Sequence, residues 1–189
     1  MSDGELTANA ARFLIGLPNL RDFEVLFDHG DPSIDPPGQL GNISSWFGDR
    51  YDYNSQLALL DIAVIEPGTD KAILLIEIEE TSANPKTIFG DVFGTLMGDH
   101  ITFQGKRNLS VGEFTTLIIL FRGKAAGNTD RLIYLREQIE ALKPCIRSGN
   151  ASIGRLMMDT YLNGTILEQK LNHLVSACLD GYSGSEPLV

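Results

Sequence analysis

Three acidic residues interrupt the two most apolar stretches of this sequence. Asp61 lies inside LALLDIAVI (57–65), and Glu77 and Glu79 lie near the end of AILLIEIE (72–79). A carboxylate that is buried alone costs roughly several kcal/mol and tends to take up a proton instead. Three such groups on neighbouring strands therefore need a compensating partner, and one divalent cation among them would serve all three.

The segment EPGTDK between the two stretches has the composition of a turn, so the stretches are predicted to form a hairpin. If Glu66 pairs with Ala72, counting back along the strands places Asp61 opposite Glu77. Glu79 then shares a face with Glu77, because side chains alternate along a strand. A shorter, four-residue loop would move Asp61 to the other face, so the convergence depends on this register.

The ligand types narrow the choice of cation. Carboxylate oxygens are hard ligands, and no histidine or cysteine lies near these acids in the sequence, which favours Mg²⁺, Mn²⁺ or Ca²⁺ over Zn²⁺. His29, His100 and His173 are scattered without metal-ligand spacing, which predicts ordinary surface or core roles. Two other interpretations of the acids stay open: they end their strands in solvent, or they bridge to basic side chains.

An Asp on one strand, a turn, and Glu-x-Glu on the next strand before a helix resembles the core motif of the PD-(D/E)XK nuclease superfamily. The motif here reads Leu60-Asp61 and then Glu77-Ile78-Glu79. The resemblance implies that Asp61 and Glu77 are metal ligands. It also implies that Glu79 occupies the position of the motif lysine, as glutamate does in some restriction endonucleases. Glu79 would then be a third ligand or the general base for the attacking water.

The same resemblance implies an activity. It is the hydrolysis of phosphodiester bonds in a nucleic acid, DNA more than RNA, with Mg²⁺ or Mn²⁺ as the cofactor. Asp61, Glu77 and Glu79 would form the catalytic set, and Lys86 near the start of the next helix would supply the missing positive charge. A homodimer is expected if both strands of a duplex are cut.

The elements that must position these residues predict an α/β fold with a central mixed sheet flanked by helices. The order of helix, strands, helix and strand over 6–121 resembles the family's αβββαβ core, with a C-terminal helix-strand-helix extension, in one domain covering 1–189. Residues 43–53 are ambiguous, and 28–41 read as a loop. The predicted helices cover 5–17, 84–97, 129–143 and 165–179, and the predicted strands cover 23–27, 57–65, 72–79, 114–121 and 153–161.

The charge of the chain bears on its partner. A formal net charge of −10 argues against a general nucleic-acid binder, because non-specific affinity comes mostly from cationic side chains. A local basic strip can still hold a nucleic-acid backbone beside an acidic metal site. The candidates for phosphate contacts flank the strand after the second helix, and they are Lys106, Arg107, Arg122 and Lys124.

Composition limits the remaining classes of protein. No apolar run is long enough for a membrane span, no signal-peptide pattern opens the sequence, and Cys145 and Cys178 are too few for a disulfide scaffold. A cytoplasmic protein with free thiols is expected. Two alternatives to a nuclease are a non-catalytic domain of the same fold that binds nucleic acid or protein, and an unrelated α/β interaction domain.

Overall fold

A computed structural model describes residues 4–49, 51–82, 85–123 and 129–182. These residues form four α-helices and nine strands, with short 3₁₀ turns at Pro18–Leu20, Lys143–Cys145 and Gly149–Ser152. In chain order these elements are α1 (Glu5–Ile15), β1 (Glu24–Phe27), β2 (Ile43–Trp46), β3 (Gln56–Leu60), β4 (Ile62–Ile65), β5 (Ala72–Ser82), α2 (Pro85–Met97), β6 (His100–Phe103), β7 (Arg107–Leu109), β8 (Thr116–Arg122), α3 (Thr129–Leu142), β9 (Arg155–Tyr161) and α4 (Gly164–Tyr182).

The central sheet has five strands in the order β1-β4-β5-β8-β9. β4 runs antiparallel to both β1 and β5, whereas β5, β8 and β9 run parallel to one another. The parallel pairs are joined through α2 and α3, since a parallel connection needs a long crossover. The predicted α/β architecture, a mixed sheet flanked by helices, is confirmed at this level.

A second, antiparallel sheet of four strands was not predicted. Its order is β3-β2-β6-β7. β2 is the only strand formed by the ambiguous segment 43–53 within the described residues, β3 precedes Asp61, and β6 and β7 are two short strands after α2. The β6–β7 connection contains Gln104 and Gly105 with φ angles of 53° and 62°. Positive φ at two consecutive residues is the geometry of a tight hairpin turn whose twist matches its strands.

The prediction of one continuous strand over 57–65 is wrong. The chain leaves the second sheet after Leu60 and enters the central sheet at Ile62, so Asp61 lies between β3 and β4. Of the two halves of this run, β4 is buried along its whole length, whereas Leu57 and Leu59 of β3 are exposed. An unbroken apolar run does not reveal that its two halves pair with different neighbours, because pairing is decided by segments far away in the sequence.

The paired residues of the hairpin have the predicted register despite this break. Ile62 pairs with Ile76, as the count from the turn required, although a β-bulge near the turn pairs Ile65 with Ala72. Continuing the pairing by one residue places Asp61 across from Glu77.

The two faces of the central sheet carry separate hydrophobic clusters. On one face α1 and α4 pack against the sheet, with Leu14, Leu171 and Ile76 fully buried. On the other face α2, α3 and the second sheet enclose a cluster that includes Val92 and Phe103. The central strands are therefore covered on both sides, which explains their almost wholly apolar sequences.

Two helices begin in different ways. α4 begins at Gly164, and the Asn163 side chain accepts a hydrogen bond from the Ile166 N–H, so Asn163 caps this helix. α1 begins after Gly4, which adopts a left-handed conformation with φ of 85° and has no side chain to form a cap.

Among the helices that the structure describes, none is both long and apolar enough to cross a membrane. Cys145 and Cys178 are both free thiols, the first exposed and the second half-buried.

Two glycines of α2 provide a matched test of how this helix packs. A methyl group on Gly94 would lie 2.6 Å from the Leu57 backbone oxygen in β3, whereas one on exposed Gly90 would meet no described atom within 4 Å outside its own helix. We expect Gly94→Ala to lower the free energy of unfolding by roughly 1–3 kcal/mol. Gly90→Ala should raise it by roughly 0.5–1 kcal/mol through helix propensity alone. Urea denaturation of both variants checks this, and equal effects at the two sites would contradict the packing.

Candidate functional site

The predicted acids meet at the carboxyl-terminal end of β5. There the first turn of α1, the segment after β1, the break between β3 and β4, and the end of β5 enclose an open pocket of about 300 Å³. Its lining residues are Gly4, Thr7, His29, Asp61, Glu77, Ile78, Glu79 and Glu80. The structure thus places all three acids that the sequence singled out at the same pocket.

Asp61 is held by hydrogen bonds from two elements. Its Oδ2 accepts the Ile78 N–H at 2.6 Å, and its Oδ1 accepts the Thr7 hydroxyl at 3.1 Å. Burial raises the pKa of the Asp61 carboxyl to about 7, and the nearby Asp28 charge adds to the increase, while both hydrogen bonds oppose it. The two hydrogen bonds orient the Asp61 carboxylate, but they do not offset the effect of burial on its pKa.

Glu77 lies across from Asp61 and shares a sheet face with Leu75, on the side of α2. Burial raises the pKa of Glu77 well above its usual range, and the Asp61 and Asp91 carboxylates raise it further. The backbone N–H of Asp61 donates a hydrogen bond to Glu77 and opposes this increase. The Oε2 atom of Glu77 is buried and has no hydrogen-bond partner in the described structure. A buried acceptor without a partner is where a proton or a cation would bind.

Glu79 and Asp91 extend the acidic group toward α2. Burial raises the pKa of Asp91 to about 6, and the Glu79 charge adds to the increase. The Tyr161 hydroxyl donates to the backbone oxygen of Glu79 at 3.0 Å and so ties the end of β9 to the end of β5. Tyr161 itself is 1% exposed, so this contact is a fixed part of the core.

Sequence reasoning missed His29, which also lines the pocket, and Asp28, whose charge acts on Asp61. The Nδ1 atom of His29 contacts the Asp28 carboxylate, and the Asp28 N–H donates to the Asp61 backbone oxygen at 3.0 Å. Burial raises the pKa of Asp28, and His29 opposes that increase. Their position could have identified these residues as part of the site. Asp28 and His29 directly follow the strand β1, at the same edge of the sheet as the break at Asp61.

Within the described part of the chain, no three His, Cys, Asp or Glu side chains are arranged as a ready-made metal-binding group. A site with fewer than three protein ligands is compatible with Mg²⁺, which keeps several waters and is commonly bound by one or two carboxylates together with substrate phosphates. Asp61 and Glu77 are the pair that could hold such an ion, and Glu79 shares the sheet face of Glu77 without completing a group of three with them.

The basic candidates do not all lie at this pocket. Arg107 donates to Asp70 at 2.7 Å and to Glu24 at 2.8 Å, and Lys106 is exposed in the turn before β7. Asp70 lies seven residues before Glu77 along the extended chain, so Arg107, which is paired with Asp70, is about 20 Å from the acids at about 3.3 Å per residue.

Arg122 is placed differently. It is exposed at the end of β8, where it pairs in register with Ser82 at the same sheet edge as the acids. The side chain of Lys86, in the first turn of α2, and the whole of Lys124 lie outside the described residues.

Replacing Asp61 with asparagine is expected to stabilise the metal-free protein above neutral pH. Asparagine can accept the Ile78 N–H and donate to the Thr7 hydroxyl oxygen, but it cannot ionise. The folded-state pKa of about 7 lies above the unfolded value of about 3.9. The stability linked to Asp61 is therefore complete below about pH 4 and is lost as the pH rises through 7.

The free energy of unfolding of Asp61→Asn should exceed that of the parent by roughly 1–3 kcal/mol at about pH 8, and by little at about pH 4. Urea denaturation at both pH values measures the difference. Asp49→Asn is the control, because the Asp49 side chain is fully exposed, and it should follow the parent at both pH values. A variant no more stable than the parent at the higher pH would show that the Asp61 charge is already compensated.

Comparison with known proteins does not identify a family for this chain. No protein-family model matches this chain, and no curated protein or solved structure is significantly similar to it. The function therefore has to be argued from the geometry and chemistry of the site.

Proposed function

We propose that this protein is a divalent-metal-dependent phosphodiester hydrolase of the restriction-endonuclease-like class that acts on a nucleic acid, DNA in preference to RNA. The observation that carries the proposal is the buried Oε2 atom of Glu77, which has no partner in the described structure and lies among like charges. Leaving such a group without a counter-charge costs stability, and a site that keeps this cost is often functional.

The order of elements supports the assignment to this class. α1, β1, β4, β5, α2 and β8 follow the αβββαβ order, if the strands of the second sheet are treated as insertions. The acids stand at the second and third strands of that order. The helix α1, whose first turn contributes Thr7 to Asp61, directs its positive N-terminal end toward the pocket.

Mg²⁺ or Mn²⁺, when bound, would polarise the phosphate and lower the pKa of a coordinated water. Asp61 and Glu77 would hold the ion, since both are oriented toward the pocket and both gain from a positive neighbour. Glu79, in the position of the motif lysine, would be the third carboxylate. Arg122, exposed at the same sheet edge, would contact a backbone phosphate of the nucleic acid.

A non-catalytic domain of the same fold is the second candidate. The formal charge of −10 favours it, as does the engagement of Arg107 by two acids, because both reduce the attraction for a polyanion. Such a domain would bind its partner without using the carboxylates.

Calorimetric titration of Mn²⁺ and Mg²⁺ into the purified protein tests the metal site. We expect binding by the parent and by Asp49→Asn, but at least about tenfold weaker binding by Asp61→Asn and Glu77→Gln, since a metal ligand is lost in each. Mn²⁺ should raise the melting temperature of the parent and leave that of Asp61→Asn unchanged. Equal binding by all four proteins would place the ion elsewhere.

Cleavage of labelled DNA and RNA with Mn²⁺ or Mg²⁺ separates the two candidate functions. A hydrolase should cleave one of these substrates, and Glu77→Gln should lower the rate by about 100-fold or more through loss of the bound metal. Retention of nucleic acid without cleavage, unaffected by Glu77→Gln, would instead favour the binding domain.

A further inference from the structure

Proton transfer is the part of the reaction that the acidic site leaves unassigned, because a carboxylate that binds the ion is not free to accept a proton. We propose that His29 is the general base that takes the proton from the water attacking phosphorus. This inference rests on the proposed function and adds a catalytic residue to it. It would give the pocket the basic group that the motif lysine supplies elsewhere.

The contact with Asp28 sets the tautomer of the His29 ring. The Asp28 side chain is only 8% exposed, and it lies against Nδ1 of an imidazole that is 50% exposed. A carboxylate accepts hydrogen bonds, so the ring nitrogen facing it carries the proton. In the neutral ring Nε2 is then left with its lone pair available, which is the state that a general base requires.

Gly4 fixes the position of the ring and keeps it in the pocket. A Cβ atom on Gly4 would lie 2.3 Å from Cδ2 of His29, and Gly4 has a left-handed φ of 85°. Glycine is therefore required at this position by both its conformation and the close approach of the ring. With Nδ1 against Asp28 and Cδ2 against Gly4, the ring is in contact on two of its edges.

The segment that carries His29 is fastened to α1. Arg12 donates two hydrogen bonds to Asp35, from Nε at 2.8 Å and from its terminal nitrogen at 2.9 Å. The Asp35 side chain also accepts the Asp31 N–H at 2.6 Å. These contacts hold the loop after β1 beside the first helix, so His29 and Thr7 line the same pocket from neighbouring elements.

The residues that line the pocket come from segments suited to different tasks. Glu77 and Glu79 come from β5, whereas His29 comes from the loop after β1, and all three line the pocket. A phosphate bound in the pocket would meet carboxylates from one segment and the imidazole from the other. A base outside the set of metal ligands can act without giving up a ligand.

The step balances as an ordinary hydrolysis. The water oxygen forms a bond to phosphorus while its proton passes to Nε2 of His29. The bond between phosphorus and the leaving alcohol oxygen breaks, and that oxygen takes a proton from solvent water. His29 then returns its proton to solvent, so no oxidant, reductant or further reactant is consumed.

The test of this inference is the rate of cleavage by His29→Ala. His173→Ala is the control, since His173 is an exposed histidine on α4 that does not line the pocket. Rates are measured with Mn²⁺ on labelled DNA and on bis(p-nitrophenyl) phosphate, whose leaving group needs no proton. We expect His29→Ala to bind Mn²⁺ like the parent and to be about 100-fold slower on both substrates. Added imidazole should restore part of the rate. His29→Gln, with a side chain of similar size, should be slowed alike, and melting curves verify that both variants fold.

Three results would overturn the inference while leaving the proposed function intact. They are a rate for both His29 variants within about threefold of the parent, a loss confined to DNA, and loss of Mn²⁺ binding together with activity. The second would make His29 the proton donor to the leaving group, and the third would make it a metal ligand. If the parent neither binds Mn²⁺ nor cleaves either substrate, the proposed function itself fails and the inference falls with it.

Discussion

The Asp61 carboxylate accepting the Ile78 N–H is the contact on which the site depends. It lies where the chain passes from the second sheet to the central sheet, and its partner belongs to the strand that carries Glu77 and Glu79. The same carboxylate accepts the Thr7 hydroxyl, so one side chain joins α1, β5 and the break between two sheets. Burial raises the pKa of Asp61 to about 7, which means that the joint is kept at a cost in stability.

The rest of the fold offsets this loss of stability and holds the acids in position. Hydrophobic clusters on both faces of the central sheet hold its strands, and the Tyr161 hydroxyl fixes the end of β5 from the far strand. The acids are therefore held close to one another by packing despite their mutual repulsion. Under the proposed function, a bound cation would offset that repulsion, and the fold would already have brought its ligands together.

The second sheet changes how the molecule presents this site. Its strand β3 leads directly into Asp61, and α2 packs closely on β3 through Gly94. The acids on β5 and the imidazole on the loop after β1 line the same pocket from separate parts of the chain. The ion pairs of Arg107 with Glu24 and Asp70 brace the opposite end of the sheet, where a basic side chain stabilises structure and lies far from the pocket.

The sequence by itself determined the helices and the apolar segments that form the central sheet, and it favoured the register that sets Asp61 across from Glu77. Those features depend on local periodicity and on one short turn, and both can be read from neighbouring residues. Only the tertiary structure decided that 57–65 divides between two sheets, that Asp28 and His29 face the acids, and that Arg107 is held at the other end. Each of these depends on contacts between segments distant in the chain, and side-chain patterns fix which face a residue takes but not which segment covers it.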